Sequence, residues 1–212
     1  MIVGICGNIG AGKSSLTKLL VENFSLRSIL ENYNENPYLE DFYNSMKSWA
    51  FHSQLYFLVK KIELMEKLNE DGLIYIQDRT IYEDVFIFAK NLFRMGFITT
   101  RDWKLYFNVF NLSERKIIRP SCIFYIKCSV DTLKKRINKR GRNFEQNMSE
   151  KYLSDLNALY DEWYRNSKIK NKWIIDGDNF DFIENVSDRK KIIKDISENI
   201  AKMSFGIQSM LF

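Results

Sequence analysis

The sequence predicts an α/β protein in which five parallel strands form a sheet flanked by helices. Short apolar segments of strand length alternate with helical patterns, and a glycine-rich loop follows the first segment. The five apolar segments lie at about residues 1–6, 26–30, 73–77, 122–128 and 173–176. Strands connected through helices are typical of parallel sheets covered on both faces. Because no linker or repeat is visible, residues 1–212 are predicted to form a single domain.

The composition excludes several classes of protein. Hydrophobic residues make up 45% of the chain, with only 2 prolines and 9 glycines, so no disordered arm is expected. The apolar stretches are interrupted by charges, which predicts no membrane span. The 3 cysteines form no C-x-x-C motif and His52 is the only histidine, which disfavours a zinc site and Ser/His catalysis. We expect reduced core thiols, a cytoplasmic protein, and no signal peptide before the first strand.

Residues 7–14, directly after the first predicted strand, match the phosphate-binding pattern G-x-x-x-x-G-K-[ST]. Glycines let successive backbone N–H groups point at phosphate oxygens beside a helix N-terminus. In this pattern Lys13 bridges the β- and γ-phosphates of ATP, and the Ser14 hydroxyl helps to hold Mg²⁺. The residues predicted to bind ATP in this phosphate loop are Gly7, Asn8, Ile9, Gly10, Ala11, Gly12, Lys13, Ser14 and Ser15.

Polar residues follow the second and third predicted strands. Ligands of an open parallel sheet bind outside the carboxyl ends of its strands, so we expect these residues beside the phosphate loop. Asp78 is predicted to be the second carboxylate that organises magnesium, and Arg79 to neutralise charge during transfer. Glu31, at the end of the second strand, is placed to accept a proton from an attacking hydroxyl group.

Long helical patterns cover residues 47–69 and, as a pair, residues 80–115. In the first, Gln54 and Lys61 share one face with two apolar residues. In the second, Asp84 and Phe88 are four residues apart, so a carboxylate and an aromatic ring are presented together. Taken alone, such aromatic residues more often pack in a core than bind a ligand.

Much of the positive net charge of +5 lies in the run of residues 134–142. Such a run can be a solvated helix face or a nucleic-acid contact, but beside a phosphate loop it also has an anionic ligand to bind. The aromatic residues typical of nucleic-acid binding do not accompany it, so no nucleic-acid partner is expected. The guanine-specifying motif N-K-x-D is also absent, because residues 171–174 read NKWI, which disfavours a GTPase.

Three blocks together resemble the deoxynucleoside kinase family, which includes deoxycytidine, deoxyguanosine and deoxyadenosine kinases. They are LENYNENPYLEDFYNSMKSWAFHSQLYFL (30–58), QDRTIYEDVFIFA (77–89) and KKRINKRGRNFEQ (134–146), in the family's order and spacing. The resemblance covers nearly the whole chain. It implies a P-loop kinase fold with a basic lid at about residues 134–147, and ATP-dependent phosphorylation of a deoxyribonucleoside on its 5′-hydroxyl.

The resemblance also implies a role for individual residues. Glu31 is the general base for the 5′-hydroxyl, and Arg79 contacts that hydroxyl and the transferring phosphate. The substrate-binding residues that it implies are Glu31, Tyr43, Gln54, Lys61, Arg79, Asp84, Phe88 and Glu145, with Tyr43 and Glu145 on the sugar 3′-hydroxyl and the others on the base or the 5′ end. Arg136, Arg140 and Arg142 close over the donor phosphates, since arginine grips phosphate oxygens in pairs. Residues 176–182 stand where the family places its adenine-contacting loop.

Three positions depart from the family pattern. Asn32 replaces the proline that usually follows the general base, so the loop is less rigidly set. Lys61 stands where an arginine pairs with the equivalent of Asp84, and a lysine cannot reproduce the planar fork of a guanidinium. Phe144 replaces an acidic residue.

Two other functions compete with this one. A nucleoside monophosphate kinase, such as a thymidylate kinase, shares the phosphate loop, but it needs guanidinium groups for an anionic acceptor and no arginine lies between Ser28 and Asp78. A non-catalytic nucleotide-binding module would not need Glu31. We therefore predict a kinase that acts on deoxyadenosine, deoxyguanosine or deoxycytidine in DNA precursor salvage, and a homodimer that pairs helices at about residues 80–93 and 149–167.

Overall fold

Five parallel strands form one sheet in the order β2-β3-β1-β4-β5, which confirms the predicted architecture. The structure, a computed structural model, describes residues 1–24, 26–30, 33–68, 73–145 and 148–209, apart from the side chains of residues 143 and 204–209. The strands are β1 (Ile2–Gly7), β2 (Arg27–Ile29), β3 (Tyr75–Asp78), β4 (Cys122–Lys127) and β5 (Asn171–Asp176). Each lies within about two residues of its predicted segment.

The central strand β1 is buried along its whole length, as its uninterrupted apolar sequence predicts for a strand covered on both faces. Its register places Ile5 opposite Asp78 of β3 and Gly7 opposite Ile126 of β4. The carboxyl ends of these three strands therefore meet at one edge of the sheet. Ligands of open parallel sheets bind at such an edge.

Nine α-helices pack around this sheet in the described part of the chain. They are α1 (Lys13–Asn23), α2 (Leu39–Asn44), α3 (Met46–Glu66), α4 (Ile81–Glu83), α5 (Lys90–Arg94), α6 (Thr100–Glu114), α7 (Val130–Arg140), α8 (Glu150–Asn166) and α9 (Val186–Ser209). Short 3-10 turns occur at Tyr33–Glu35 and Asn143–Glu145. Among the described residues, every helix is too short or too polar to cross a membrane.

Local sequence signals set several helix ends. The side-chain oxygens of Thr99, Ser129 and Ser149 each accept a hydrogen bond from a backbone N–H in the first turn of the helix that follows. Helix α7 ends at Gly141, which has the left-handed conformation (φ 72°) that glycine adopts without strain. The cap at Gly141 fixes where α7 gives way to the segment that carries Arg142 and Glu145.

A π-helical segment, Asp84–Ala89, joins α4 to α5 in one continuous rod. The sequence pattern predicted an ordinary helix here, with Asp84 and Phe88 one α-helical turn apart. Their spacing does not distinguish the two helix types, because both side chains point to the same side in either. A π-helical turn holds about one residue more than an α-helical turn, and such turns often occur at functional sites.

Candidate active site

The phosphate loop connects β1 to α1 and faces a cavity at the carboxyl edge of the sheet. Gly10 (φ 82°) and Gly12 (φ 97°) have left-handed backbone conformations, as the motif requires. A Cβ atom on Gly10 would lie 2.9 Å from Ile137 Cγ1, and one on Gly12 would lie 3.0 Å from Phe182 Cζ. The loop is thus packed between α7 and residues 176–182, and its shape depends on both glycines.

Two side chains at the start of α1 extend from this loop toward neighbouring groups. The Lys13 ammonium group donates a hydrogen bond to the carbonyl oxygen of Asn8 at 3.0 Å. The Ser14 hydroxyl donates to Asp78 Oδ2, which joins α1 to the end of β3. A hydroxyl and a carboxylate are the hard oxygen ligands that Mg²⁺ prefers. No group of three or more His, Cys, Asp or Glu side chains suited to a metal occurs among the described residues. Ser14 and Asp78 are the two side chains at this edge of the sheet that could hold a magnesium ion.

Helix α8 braces the phosphate loop from behind through Asn8. The Asn8 amide donates to the carbonyl oxygen of Leu153 at 2.9 Å and to Asn157 Oδ1 at 2.8 Å. Its own Oδ1 accepts the backbone N–H of Ile9 at 2.7 Å. Asn8 is therefore a structural member of the loop, and its side chain is fully engaged with protein.

Arg79 has the left-handed conformation (φ 62°), the only residue other than glycine with positive φ among those described. Such a conformation costs on the order of 1–3 kcal/mol and persists only where its surroundings fix it. The Arg79 N–H donates to the carbonyl oxygen of Ile5 at 3.1 Å, and its own carbonyl oxygen accepts from Lys61 Nζ at 2.9 Å. Its guanidinium lies 4.1 Å from the centre of the Phe88 ring, at cation–π distance.

Lys61 and Asp84 form a buried pair, with both side chains 3% exposed and Nζ 3.5 Å from Oδ2. Asp84 lines the cavity, whereas Lys61 is not one of its lining residues. The pairing with Asp84 is the contact that the family's arginine at this position implies, and the role of Lys61 in substrate binding stays a prediction. Lys61 contacts the Arg79 carbonyl and the Asp84 carboxylate.

The basic run splits into two groups. The Arg136 guanidinium donates to the carbonyl oxygens of Ala11, at 3.1 Å, and Gly177, at 2.7 Å, so it ties α7 to the phosphate loop and to the loop after β5. Arg140 and Arg142 line the cavity, and both bind the buried Glu145 carboxylate, Arg142 at 3.3 Å. Arg142 also stacks over the Tyr33 ring, 3.7 Å from its centre.

Tyr43 and Glu145, predicted to act together, both line the cavity. Burial raises the pKa of the Tyr43 hydroxyl far above its ordinary value, and the nearby Tyr152 and Glu145 raise it further. Tyr43 is therefore a neutral hydrogen-bond donor at any physiological pH. Its ring stacks on Phe144 with 5.1 Å between ring centres, which gives a contact for the residue that departs from the family pattern.

One cavity thus brings together most of the predicted site. The predicted residues that line it are Ile9, Gly10, Lys13, Ser14, Tyr43, Gln54, Asp78, Arg79, Asp84, Phe88, Arg140, Arg142 and Glu145. Glu31 and Asn32 lie outside the described residues, so the role of Glu31 stays a prediction. The cavity also has apolar and aromatic walls that were not predicted, from Tyr33, Leu39, Phe42, Phe57 and Tyr152.

Sequence reasoning missed one buried carboxylate at this site, that of Glu83. It accepts hydrogen bonds from backbone N–H groups of Gly7, at 3.2 Å, and of Thr80, at 2.6 Å. Thr80 and Glu83 form a capping box at the start of α4. The pattern T-x-x-E at residues 80–83 was a local signal for that box, although not for the contact with Gly7.

Comparison with known proteins decides the family. Residues 3–201 match the family model described as "Deoxynucleoside kinase". The chain belongs to the deoxynucleoside kinase family. Members of this family are phosphotransferases, and the chain is an enzyme of that class.

Relatives with assigned activities are similar over most of this family member. A deoxyadenosine kinase from Lactobacillus acidophilus is 32% identical over 95% of the chain and 97% of its own length. A deoxyguanosine kinase from Bacillus subtilis is 32% identical over 93% of the chain and 97% of its own length. A solved structure of deoxyadenosine kinase from M. mycoides with bound dCTP superposes with a TM-score of 0.79 at 26% identity, covering 93% of this chain and 100% of that one.

The buried Lys61–Asp84 pair makes the site sensitive to loss of its cation. We expect Lys61→Met to lower the free energy of unfolding by about 3–5 kcal/mol, because it removes the ammonium group from a buried carboxylate. Urea unfolding measures the change. The double variant Lys61→Met/Asp84→Asn should recover part of the loss, since it removes the charge as well.

The neighbouring Lys60 supplies the matched control. Lys60 pairs with Glu63 at the surface, where both side chains are more than two-fifths exposed. Exposed pairs contribute little to stability, so Lys60→Met should leave the urea midpoint nearly unchanged. Equal losses in the Lys60 and Lys61 variants would contradict the assignment of Lys61 as the buried partner of Asp84.

Proposed function

We propose that the enzyme transfers the γ-phosphoryl group of ATP to the 5′-hydroxyl of a deoxyribonucleoside, with deoxyadenosine, deoxyguanosine and deoxycytidine favoured over thymidine. One cavity carries the proposal. In it the phosphate loop and Arg79 adjoin a chamber lined by the Phe88 ring and the Gln54 amide. A nucleoside combines a flat ring, polar ring edges and a sugar. The walls of this chamber offer a matching group for each.

The chamber suits a purine or cytosine base. Phe88 offers a face for stacking, and the Gln54 amide offers both a donor and an acceptor to the base edge. The Asp84 carboxylate accepts from the exocyclic amino groups that adenine, cytosine and guanine carry and thymine lacks. The relatives named deoxyadenosine/deoxycytidine kinase, from Bacillus subtilis, and deoxyguanosine kinase support this range of bases.

The sugar would be held by Tyr43 and Glu145. Tyr43 stays protonated and donates to the 3′-hydroxyl, which in turn donates to the Glu145 carboxylate. This pair recognises a free 3′-hydroxyl without needing charge on the acceptor. The acidic residues Glu35, Glu40 and Asp41 are exposed and do not line this cavity.

The donor would be held by the phosphate loop and the basic lid. Loop N–H groups and Lys13 bind the β- and γ-phosphates, and Arg140 and Arg142 close over them. Arg136 contacts the loop itself, so we assign it to holding the loop in shape. To bind the phosphates directly, as the sequence predicted, its guanidinium would have to leave the Ala11 and Gly177 carbonyl oxygens. Ser14 and Asp78 would hold Mg²⁺, which when bound neutralises charge on the phosphates.

Transfer would proceed by in-line displacement. The Glu31 carboxylate takes the proton of the 5′-hydroxyl, whose oxygen bonds to the γ-phosphorus as the bond to the β–γ bridging oxygen breaks and ADP leaves. Arg79 and Lys13 stabilise the charge that spreads over the transferring group. The left-handed backbone of Arg79 fits this role, because it directs the guanidinium toward the cavity while the carbonyl stays bound to Lys61.

The deciding experiment is an ATP-dependent phosphorylation assay with four deoxyribonucleosides and thymidylate side by side, with and without magnesium. We expect turnover on deoxyadenosine, deoxyguanosine or deoxycytidine that disappears with EDTA. Glu31→Gln should lower kcat by roughly 10²-fold or more, because the general base is lost. Glu35→Gln, four residues away, is the matched control and should retain wild-type turnover.

Other outcomes of the assay would change the function assigned to the enzyme. Turnover only on thymidylate would make the enzyme a monophosphate kinase. ATP binding without transfer to any acceptor would leave a nucleotide-binding module. Full activity of Glu31→Gln would remove Glu31 as the base and leave the acceptor class intact.

We also propose a homodimer through the α4–α5 rod and α8. A groove between these helices is lined by the aromatic rings of Tyr82, Phe86 and Trp163, and the first two rings are half-buried. We expect light scattering to give twice the mass of one chain. Phe86→Asp should give the mass of a monomer, whereas Val186→Asp, at an exposed position on α9, should not. A monomeric wild type would overturn this proposal.

We also propose a cytoplasmic role in DNA precursor salvage, since the proposed product is a deoxynucleoside 5′-monophosphate. Salvage predicts that cells lacking the enzyme incorporate less externally supplied labelled deoxynucleoside into DNA. Unchanged incorporation would argue against that role without affecting the assigned chemistry.

A further inference from the structure

Glu83 is fully buried, and the proposed chemistry does not use it. Its carboxylate lies between the phosphate loop and the turn that carries Asp78 and Arg79. We propose that Glu83 and Tyr160 form a positioning pair that fixes the phosphate loop relative to Arg79. Phosphoryl transfer, rather than nucleoside binding, should then depend on the pair. The inference rests on the proposed donor site.

The contacts of Glu83 explain why a carboxylate is needed. Oε1 accepts from the Gly7 N–H at 3.2 Å and lies 2.9 Å from the Tyr160 hydroxyl oxygen. Oε2 accepts from the Thr80 N–H at 2.6 Å and from its hydroxyl at 3.2 Å. Both backbone partners can only donate, and they approach different oxygens. An amide has one acceptor oxygen, so a glutamine would oppose an NH₂ group to one of these N–H groups.

Tyr160 completes the bridge from α8. Its hydroxyl lies 2.6 Å from the carbonyl oxygen of Gly7 and shares its one proton between that oxygen and Glu83. Burial holds the pKa of Tyr160 well above its ordinary value, and the charge of Glu83 raises it further, so the hydroxyl stays protonated. Gly7 therefore has both of its backbone polar groups bound to this pair.

The position of the two bound segments gives the pair its functional consequence. Gly7 is the last residue of β1 and opens the phosphate loop, and Thr80 directly follows Arg79. The Glu83 side chain thus joins the phosphate loop, which would hold the donor phosphates, to the turn that carries Arg79, which would contact the transferring phosphate. A displacement of about 1 Å between reacting groups lowers a rate by roughly 10²-fold, even when it arises from a distant change.

A hydroxyl deletion on the neighbouring ring gives a matched control. Tyr125 is buried like Tyr160, its ring stacks on that of Tyr160 at 5.5 Å, and its hydroxyl contacts Asp161 at 3.3 Å rather than the phosphate loop. Tyr160→Phe and Tyr125→Phe each delete one buried hydroxyl from the same stacked pair. Only the first breaks the contact with Gly7 and Glu83.

The test compares Glu83→Gln, Tyr160→Phe and Tyr125→Phe for kcat, KM for ATP, equilibrium binding of the deoxynucleoside and thermal unfolding. We expect kcat to fall roughly 10²-fold in Glu83→Gln and about tenfold in Tyr160→Phe. Deoxynucleoside affinity should stay within about twofold, and Tyr125→Phe should match the wild type. The double variant Glu83→Gln/Tyr160→Phe should be no slower than Glu83→Gln, since residues that act as a unit are not additive.

Several results would overturn the inference. Equal loss of kcat in the two tyrosine variants would show that Glu83 and Tyr160 only pack in the core. A lower melting temperature with unchanged kcat in Glu83→Gln would show the same. If Glu83→Gln binds ATP more tightly with unchanged kcat, Glu83 acts on ATP only through its negative charge and does not position the phosphate loop. If Glu83→Gln does not fold, the two tyrosine variants still decide. Wild-type turnover in Lys13→Ala would instead overturn the donor site itself, and this inference with it.

Discussion

The pairing of β1 with β3 sets the distance between the two halves of the candidate active site. This register places Ile5 opposite Asp78, and the Ile5 carbonyl oxygen then accepts the N–H of Arg79. The Ser14–Asp78 contact closes the same arrangement from the side of α1. A slip of one residue in a strand moves its side chains to the opposite face. The phosphate loop and Arg79 would then no longer face one cavity.

Arg79 connects the proposed base and phosphate sites. Its ring contact is with Phe88, and its carbonyl oxygen is held by Lys61, which also pairs with Asp84. The strain of its left-handed backbone is offset by these contacts and by the bond to Ile5. A residue that depends on both neighbouring sites responds to changes in either one.

The strands and the phosphate loop could be predicted because their signals are local. An apolar run and a motif of eight residues need no knowledge of distant parts of the chain. Strand β5 begins at Asn171, two residues before its predicted start, because Asn171 and Lys172 are polar residues tolerated in an edge strand. The predicted cavity residues came largely from the family resemblance. Two features could not be found in this way: the Arg136 contacts and the bond from Gly7 to Glu83. Each depends on which segments meet in space.

The π-helical segment places a limit on how this enzyme can change in evolution. Asp84 opens the segment and Phe88 lies near its end, both lining the cavity, and Asn91 and Leu92 of α5 are buried just beyond it. Each residue added to or removed from a helix turns everything after it by about 100°. The extra residue in this wide turn therefore lets one side of the rod meet a ligand while the next stretch meets the core. Insertions and deletions between Asp84 and Leu92 would therefore separate the two requirements. The length of this stretch therefore matters as well as the side chains that line the cavity.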